Sequence, residues 1–351
     1  MLAAPPRAPV KPGRSPTRTA GRRAGWTPGC SRPIIDHVFD TVACRTVIRM
    51  AWDEDERAAL IALLRARPPK LTWSDIADLV LETGSARSVW DETRSAAPTL
   101  FDDPDDDPLQ RAARDIESWQ RDGVRMLTFV DRDYPAQLRE IQEMPPVLFV
   151  RGTLAAAERA VSVVGSRTAP PYAIDFASKI ALALVESGIG VASGLAAGID
   201  TAAHTATLAV HGRAVAVIGT GIRRCYPRDN ERLQERIARE GLLISQFWPD
   251  APPQKHTFLM RNAVMSGYGR ATIVVAAGET SGSRAQARMA VDHGRPVLLT
   301  DRVVSATDWG RRLVGRPGVH VVTSVPEALA TVEKVTRRLP DQLDVLLPTA
   351  G

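Results

Sequence analysis

The sequence has 351 residues and a formal net charge of +5, with 44% apolar and 24% charged side chains. This is the composition of an ordinary globular protein, and no apolar run approaches the roughly 20 residues that cross a bilayer, which excludes a helical membrane protein. Three cysteines without CxxC spacing argue against a disulfide framework or a zinc site, so we expect a cytoplasmic protein that holds no metal.

Charge and composition divide the chain into regions. Residues 1–49 carry a net charge of +7, residues 50–159 a net charge of −8 and residues 160–330 a net charge of +6. The first region is rich in proline, arginine and glycine without apolar periodicity, which predicts a disordered basic tail. Because a helical pattern follows Met50 at once, one hypothesis is that translation begins there, which an intact-mass measurement tests.

Residues 50–122 are predicted to form a small helical domain, in which an acidic run at 102–107 precedes the last helix. The predicted helices are 54–66, 74–81, 86–94 and 109–121. Residues 123–150 follow as a lead-in segment that begins with a short strand at 126–130.

Residues 151–330 alternate short apolar runs with helices. Strands are predicted at 161–164, 190–193, 214–218, 242–245, 272–276, 296–299 and 320–322. Helices are predicted at 173–187, 200–210, 229–240, 261–267, 283–293 and 325–336. Strands that are apolar throughout and separated by helices form a parallel sheet covered on both faces. The predicted fold class is therefore α/β, a Rossmann-like doubly wound parallel sheet, followed by a C-terminal tail at 331–351.

Small and polar residues follow four of these strands, at the carboxyl edge where ligands of open α/β sheets bind. They are Gly165 and Ser166, Gly194 and Gly198, Gly219 and Gly221, and Ser281, Gly282 and Ser283. Glycine lets a backbone approach an anion, and helix N-termini favour phosphate. One such glycine alone is more simply a tight turn, but four such strand ends together predict a phosphate-binding crevice. Neither G-x-G-x-x-G nor a P-loop motif occurs in the sequence.

Arg167 follows the first strand of this domain, where its guanidinium can hold a phosphate bidentately, although most arginines simply lie on the surface. Lys255, Phe258, Arg261 and Asn262 lie within eight residues of one another. Cations beside an aromatic ring are typical of sites for single-stranded nucleic acid. Spacing alone leaves Phe258 equally compatible with a place in the core.

Asp200 and His204 stand four residues apart and resemble an acid–base pair. Asp200 is more simply the cap of its helix, and His204 a structural histidine. The sequence contains no nucleophile elbow and no metal-ligand cluster, so we predict neither an enzyme nor a bound cofactor. Arg223 and Arg224 either add to a basic rim or are merely solvated.

Several blocks of the sequence occur in an order that resembles the DprA/Smf family. They are 161–167, 193–204, 219–221 with Tyr226, Pro227 and Asn230, Phe258 with Arg261 and Asn262, and 281–283, preceded by 133–135 and 145–148. The likeness covers about residues 110–300. It implies binding of single-stranded DNA, loading of RecA in natural transformation, a homodimer, no established catalytic activity and a SAM-like helical domain at the N-terminus. The family's DNA pocket carries over to Gly165, Ser166, Arg167, Lys255 and Phe258, and less directly to Arg261, Asn262, Ser281 and Gly282.

Some positions depart from the family pattern. Gln246 and Ala276 stand where the family carries acidic residues, Ala263 where it carries an arginine, and Arg223 near an expected aspartate. The first two changes and Arg223 make the crevice more positive, whereas Ala263 does the opposite, which leaves a divergent paralogue with a changed ligand as one interpretation. Fifteen residues follow the last predicted helix, too few for the winged-helix domain that many members carry.

Two functions of other classes stay open. Related folds hydrolyse nucleoside monophosphates with a PGGxGT-type loop and a nearby glutamate, whereas this chain has the segment 278–283, which favours the DprA/Smf resemblance. A sensor that binds a small nucleotide in the same crevice is the other alternative.

Overall fold

The computed structural model of the chain describes residues 52–69, 71–96, 107–155 and 158–337. The predicted basic tail at 1–49 and residues 338–351 of the predicted C-terminal tail lie outside these ranges. The described chain opens with four helices: α1 (Glu54–Ala66), α2 (Trp73–Thr83), α3 (Ala86–Ala96) and α4 (Pro108–Arg121). Asp53 caps α1 by accepting from the Glu56 amide, which stabilises a helix by about 1 kcal/mol. All four helices agree with the prediction to within two residues at each end.

A single mixed sheet organises the rest of the described residues. Its strands are β1 (Arg125–Thr128), β2 (Val147–Gly152), β3 (Ala160–Gly165), β4 (Gly190–Ser193), β5 (Ala214–Val217), β6 (Leu242–Ser245), β7 (Thr272–Ala276), β8 (Val297–Thr300) and β9 (Val319–Val322). Their spatial order is β1-β2-β6-β5-β4-β3-β7-β8-β9. In this spatial order, the seven neighbouring strands β6, β5, β4, β3, β7, β8 and β9 are all parallel, which confirms the predicted fold class.

The segment 123–150 belongs to the sheet. β1 pairs with β2 and β2 pairs with β6, both in antiparallel register, so the predicted lead-in supplies an antiparallel extension of the parallel sheet. Its strands are buried along one continuous core with α1, α2 and α4. The sheet therefore includes both strands of the predicted lead-in segment, and the domain boundaries themselves stay a prediction.

Helices cover both faces of the sheet. They are α5 (Pro171–Glu186), α6 (Ile199–Ala209), α7 (Glu231–Glu240), α8 (Lys255–Tyr268), α9 (Gly282–Asp292), α10 (Asp301–Ala306), α11 (Asp308–Leu313) and α12 (Val325–Thr336). Helix α8 begins six residues before the predicted start at 261. Within the described ranges, no helix combines the length and the apolar character needed to cross a membrane.

The helical domain is fixed to the sheet by aromatic side chains. The ring of Trp119 lies 4.9 Å from that of Phe149 on β2, and the ring of Trp73 lies 5.6 Å from that of Trp248, which follows β6. Aromatic pairs at this separation contribute about 0.5–1.5 kcal/mol each beyond the area that they bury. The helical domain therefore packs on the antiparallel end of the sheet.

The chain order places a crevice at the centre of the sheet. From β3 the chain moves outward through β4, β5 and β6, and it then returns to place β7 on the other side of β3. Loops that leave β3 and β7 at their carboxyl ends therefore diverge, which is the arrangement where open α/β sheets bind ligands.

Candidate nucleic-acid interface

Arg167 and Phe258 meet at the carboxyl edge of the sheet. Arg167 lies in the exposed turn after β3, and its guanidinium carbon is 5.5 Å from the centre of the Phe258 ring. A cation–π contact of this kind contributes about 0.5–1 kcal/mol at an exposed site. Arg167 forms no ion pair with any residue in the described ranges, so its charge stays available to an anion.

Phe258 is half-buried and packs against the turn after β5. A Cβ atom on Gly219 would lie 2.5 Å from the Phe258 ring, so only glycine leaves room for the ring in this place. The ring of Tyr226 lies 5.4 Å from that of Phe258, and the Tyr226 side chain is 44% exposed. Spacing left the position of Phe258 open, and the structure places it between the core and solvent.

Lys255 stands on the same side of α8 as Phe258. It is the exposed first residue of the helix, three positions before Phe258, and residues three apart are neighbours on a helix surface. We refer to Arg167, Tyr226, Lys255 and Phe258 as the arginine–aromatic cluster. Tyr226 was not among the predicted site residues, although two signals could have found it: its place in the loop that follows a strand end and its presence in a block that resembles the DprA/Smf family.

Arg261 lies beneath this cluster. It is 5% exposed, and its Nη1 donates to the Val217 carbonyl at 2.7 Å. A Cβ atom on Gly194 would lie 1.6 Å from that Nη1, so the glycine makes space for the guanidinium. The structure therefore gives the predicted site residues Arg261 and Gly194 a buried, positioning arrangement rather than an exposed one.

Asp200 is buried close enough to Arg261 for the two charges to influence each other. Its Oδ2 accepts from the amides of Gly194 at 3.1 Å and Ala196 at 3.3 Å. The prediction that Asp200 caps its own helix is wrong, because Gly198 is the N-cap residue and the carboxylate turns back to the preceding loop. The Gly194 amide is thereby occupied and not offered to a phosphate.

Burial dominates the electrostatics of this pair. Burial raises the pKa of Asp200, while the Arg261 charge and the two amide hydrogen bonds oppose the shift. Desolvation lowers the pKa of Arg261, with Asp200 raising it and Arg167 lowering it further, so the two arginines are close enough to repel. Burial also lowers the pKa of His204 to about 4, which leaves a neutral ring inside the protein at neutral pH.

Most of the predicted glycines serve the packing of loops. A Cβ atom would lie 2.5 Å from the Ile199 side chain at Gly165 and 2.3 Å from the carbonyls of Trp248 and Pro249 at Gly221. Gly198 has a φ of +78°, and a Cβ there would lie 2.4 Å from the Ser166 carbonyl. These contacts favour the tight-turn interpretation at these positions, while they bring Ser166 and Arg167 to the edge of the crevice.

The loop after β7 meets α8 at the start of α9. Ser281 is the N-cap residue of α9 and accepts from the Ser283 amide at 3.2 Å, and Gly282 is exposed. Asn262 is buried and donates from Nδ2 to the Gly282 carbonyl at 3.3 Å. Ser281 and Gly282 therefore reach the surface beside the cluster, whereas Asn262 and the buried Ser283 hold the two helices together.

Two of the departures from the family pattern share one cavity. Gln246 and Ala263 both line a cavity of about 810 Å³ between α8 and the helical domain. The Gln246 Nε2 atom is buried and has no hydrogen-bond partner among the described residues. The third, Ala276, is buried at the end of β7.

Arg223 does not add positive charge to the crevice. Its guanidinium is paired with Asp122, directly after α4, and lies 3.1 Å from the Asp250 carboxylate. Two opposite charges neutralise the arginine, and the pairs tie the helical domain to the loop after β6. The expectation that Arg223 makes the pocket more positive is therefore wrong.

The fold and this edge define a Rossmann-like α/β protein with an exposed arginine–aromatic cluster at the switch point of its sheet. The sequence profile of the family described as DNA recombination-mediator protein A matches residues 125–333, and the chain belongs to this family. The resemblance to the DprA/Smf family is thereby confirmed.

Relatives support the same assignment. The chain is 40% identical over 188 residues to Protein Smf of Synechocystis sp., an alignment that covers 52% of this chain and 47% of that protein. It is 36% identical over 208 residues to DNA processing protein DprA of Streptococcus pneumoniae, covering 59% of this chain and 73% of that protein. The chain thus spans about half the length of the first relative and more of the second.

Solved structures extend the likeness beyond the aligned sequence. The X-ray structure of DprA from Streptococcus pneumoniae superposes with a TM-score of 0.58 at 29% identity, and it covers 83% of this chain and 97% of that one. A structure of DNA processing protein A from Helicobacter pylori, described as showing its single-stranded DNA binding mode, gives a TM-score of 0.54 at 22% identity, with 60% and 96% covered. The second likeness is one of fold.

Proposed function

We propose that this protein binds single-stranded DNA at the arginine–aromatic cluster. The observation that carries the proposal is the unpaired Arg167 guanidinium on the face of Phe258, beside the exposed ring of Tyr226. A guanidinium binds phosphate through charge-assisted hydrogen bonds. An exposed ring stacks on an unpaired base, which contributes about 1–3 kcal/mol per base.

The cluster selects single strands because its rings need a free base face. In a duplex each base is already stacked and paired, so the exposed ring of Tyr226 would have no partner. Arg167 and Lys255 would still attract the phosphates of a duplex, which predicts weaker and salt-dependent binding rather than none.

The described residues favour binding over catalysis. Asp200 and His204 are both buried near Arg261, away from solvent. In the alternative hydrolase, a glutamate near the β7 loop would act on a nucleotide, but Glu279 accepts a hydrogen bond from the Asp308 amide at the start of α11. Unlike hydrolysis, binding of a strand in this crevice requires no positioned acid or base.

Loading of RecA and homodimer formation are parts of the proposal that follow from family membership. The name of the Streptococcus pneumoniae relative, DNA processing protein DprA, supports a role in DNA processing. Sedimentation of the purified chain tests the homodimer, and capture of purified RecA on the immobilised chain tests the partnership.

Fluorescence anisotropy with labelled oligothymidylate and a labelled duplex tests the proposed function. We expect tighter binding of the single strand, with an affinity that falls between about 50 and about 200 mM salt by a slope of about 0.7 per phosphate neutralised. A thermal-shift comparison of the oligonucleotide with nucleoside monophosphates separates the alternatives, since a ligand raises stability according to its concentration relative to Kd. Equal affinity for the duplex, or a larger shift with a nucleoside monophosphate, would contradict the proposal.

A further inference from the structure

A second basic surface lies between α9 and α11. Here a groove of about 550 Å³ is lined by four arginines: Arg284, Arg288, Arg312 and Arg316. All four side chains are exposed. We refer to these four residues as the arginine groove, and none of them was among the predicted site residues.

The two walls of the arginine groove are set by local structure. Arg284 and Arg288 are four residues apart on α9, so they share one face of that helix. Arg312 lies in the last turn of α11, and Arg316 follows the helix. The guanidinium groups therefore line the groove from two sides.

The floor of the groove is apolar and fixed. Trp309 is 3% exposed, and its Nε1 donates to the Gly278 carbonyl at 3.2 Å. Leu313 lines the groove beside it. Because the Trp309 ring is covered, the groove offers charge rather than a stacking platform, and it is suited to phosphates more than to bases.

The charge of the groove is largely uncompensated. Within the described ranges Arg284, Arg312 and Arg316 form no ion pair, and Arg288 lies 3.8 Å from the Asp292 carboxylate. Glu279 is the one acidic residue of the lining, and it accepts from the Asp308 amide. Four cations facing one acid in a concave surface concentrate positive potential, which attracts a polyanion.

The groove continues from the arginine–aromatic cluster. Leu259, which is 49% exposed, lines the groove and directly follows Phe258 on α8. Ser281, at the start of α9, lines the groove as well and lies next to Gly282, which accepts from α8. A strand held at the arginine–aromatic cluster can therefore pass over Leu259 and enter the groove.

We propose that the arginine groove binds the sugar–phosphate backbone of the same single strand, beyond the bases held at the arginine–aromatic cluster. This inference rests on the proposed function and deepens it, because it gives the strand a path across the protein surface, from Phe258 toward α9 and α11. It assigns the more distant phosphates to the groove, while the cluster stacks bases and binds the phosphates next to them.

Oligothymidylates of about 4 and about 20 nucleotides test the inference, because only the longer one reaches both surfaces. The groove variant is Arg284→Gln with Arg312→Gln. Its control is Arg159→Gln with Arg239→Gln, which removes two exposed arginines near the amino ends of β3 and β6, at the opposite edge of the sheet. Thermal unfolding establishes that both variants are folded.

For the groove variant we expect unchanged binding of the short oligonucleotide and about tenfold weaker binding of the long one. The salt slope for the long oligonucleotide should fall by about 1.4, the value for two single-strand phosphates. An unchanged affinity and slope for the long oligonucleotide, or equal losses for both lengths, would overturn the inference.

Failure of the proposed function has a different signature. If Arg167→Ala leaves the short oligonucleotide bound as tightly as before, the cluster is not the primary site, whatever the groove variant does. If Arg167→Ala weakens both lengths and the groove variant weakens neither, only the arginine groove is wrong.

Discussion

The exposed arginine–aromatic cluster and the buried Asp200–Arg261 pair lie at the same edge of the sheet and use arginine in opposite ways. Arg167 is exposed and stacked on Phe258, whereas Arg261 is 5% exposed and bonded to the Val217 carbonyl. Both arginines lie at strand ends, where ligands of such sheets bind: Arg167 follows β3, and Arg261 contacts the end of β5. The difference teaches that a position at a strand end does not make an arginine a ligand group, since the guanidinium must also have charge and hydrogen bonds to spare.

Substitution of the two arginines should separate their roles most strongly in stability. Arg261→Ala removes a buried side chain and leaves the Val217 carbonyl without its donor, which we expect to lower the free energy of unfolding by about 2–5 kcal/mol in urea denaturation. Arg167→Ala, the matched control, removes one exposed cation–π contact and should cost less than about 1 kcal/mol. Similar losses for the two variants would erase the distinction between the regions.

Acid should weaken the buried region through His204. Its pKa is about 4 in the folded chain and 6.5 in the unfolded chain, so between these values the unfolded chain binds the additional proton. Stability contributed by the neutral ring is present above pH 6.5 and lost as the pH falls toward 4, by about 2–3 kcal/mol. The raised pKa of Asp200 acts in the opposite sense.

Comparison with His204→Leu isolates this contribution, because Asp200 is common to both proteins. Urea denaturation at several pH values between 4 and 7 should show that the wild-type protein loses stability more steeply than the His204→Leu variant as the pH falls. Parallel curves would show that His204 does not titrate in this way.

Two glycine substitutions extend the comparison to the backbone. Gly194→Ala places a Cβ atom within 1.6 Å of the Arg261 Nη1, so the guanidinium must move, and we expect a loss of about 1–3 kcal/mol. Gly282→Ala meets no atom within 4 Å and should change stability by no more than about 0.5 kcal/mol. Thermal unfolding of the pair measures the contrast, and a harmless Gly194→Ala would mean that Arg261 is not held there.

Among these substitutions, the smallest change in stability together with a change in DNA affinity is expected at Tyr226. Its ring is 44% exposed, so Tyr226→Ala should leave stability nearly unchanged, while it weakens oligothymidylate binding at least about fivefold through the lost base stacking. Tyr226→Phe keeps the ring and should bind as the unvaried protein does. Weakening by both substitutions would assign the effect to the hydroxyl rather than to the ring.

The sequence predicted the sheet better than the orientation of its site residues. Each parallel strand is an uninterrupted apolar run, so its position can be found from residues that are adjacent in the chain. Helices α10 and α11 have six residues each, too few to show a period, and the polar start of α8 hid its first turn. In each case the segment contains too few apolar residues for a periodic pattern to be recognised.

The orientation of Arg261 and Arg223 depends on residues far away in the sequence. Arg261 is turned inward by the space at Gly194 and by the Val217 carbonyl, and Arg223 is neutralised by Asp122, about a hundred residues before it. The arginine groove was missed for the same reason, since its walls come from two helices that a spacing pattern does not bring together. The exposed position of Arg167 after β3 could be predicted because its neighbours in sequence form its turn, while its role as a phosphate ligand stays a prediction.

The most direct test of the central claim is the affinity of Arg167→Ala for a labelled oligothymidylate, measured beside Arg159→Ala, which removes an exposed arginine from the opposite edge of the sheet. We expect Arg167→Ala to bind at least about tenfold more weakly, as for a lost charge-assisted hydrogen bond, with a salt slope reduced by about 0.7. Arg159→Ala should bind like the unvaried protein. Equal affinity and an equal salt slope for the two variants would contradict the assignment of the strand to the arginine–aromatic cluster.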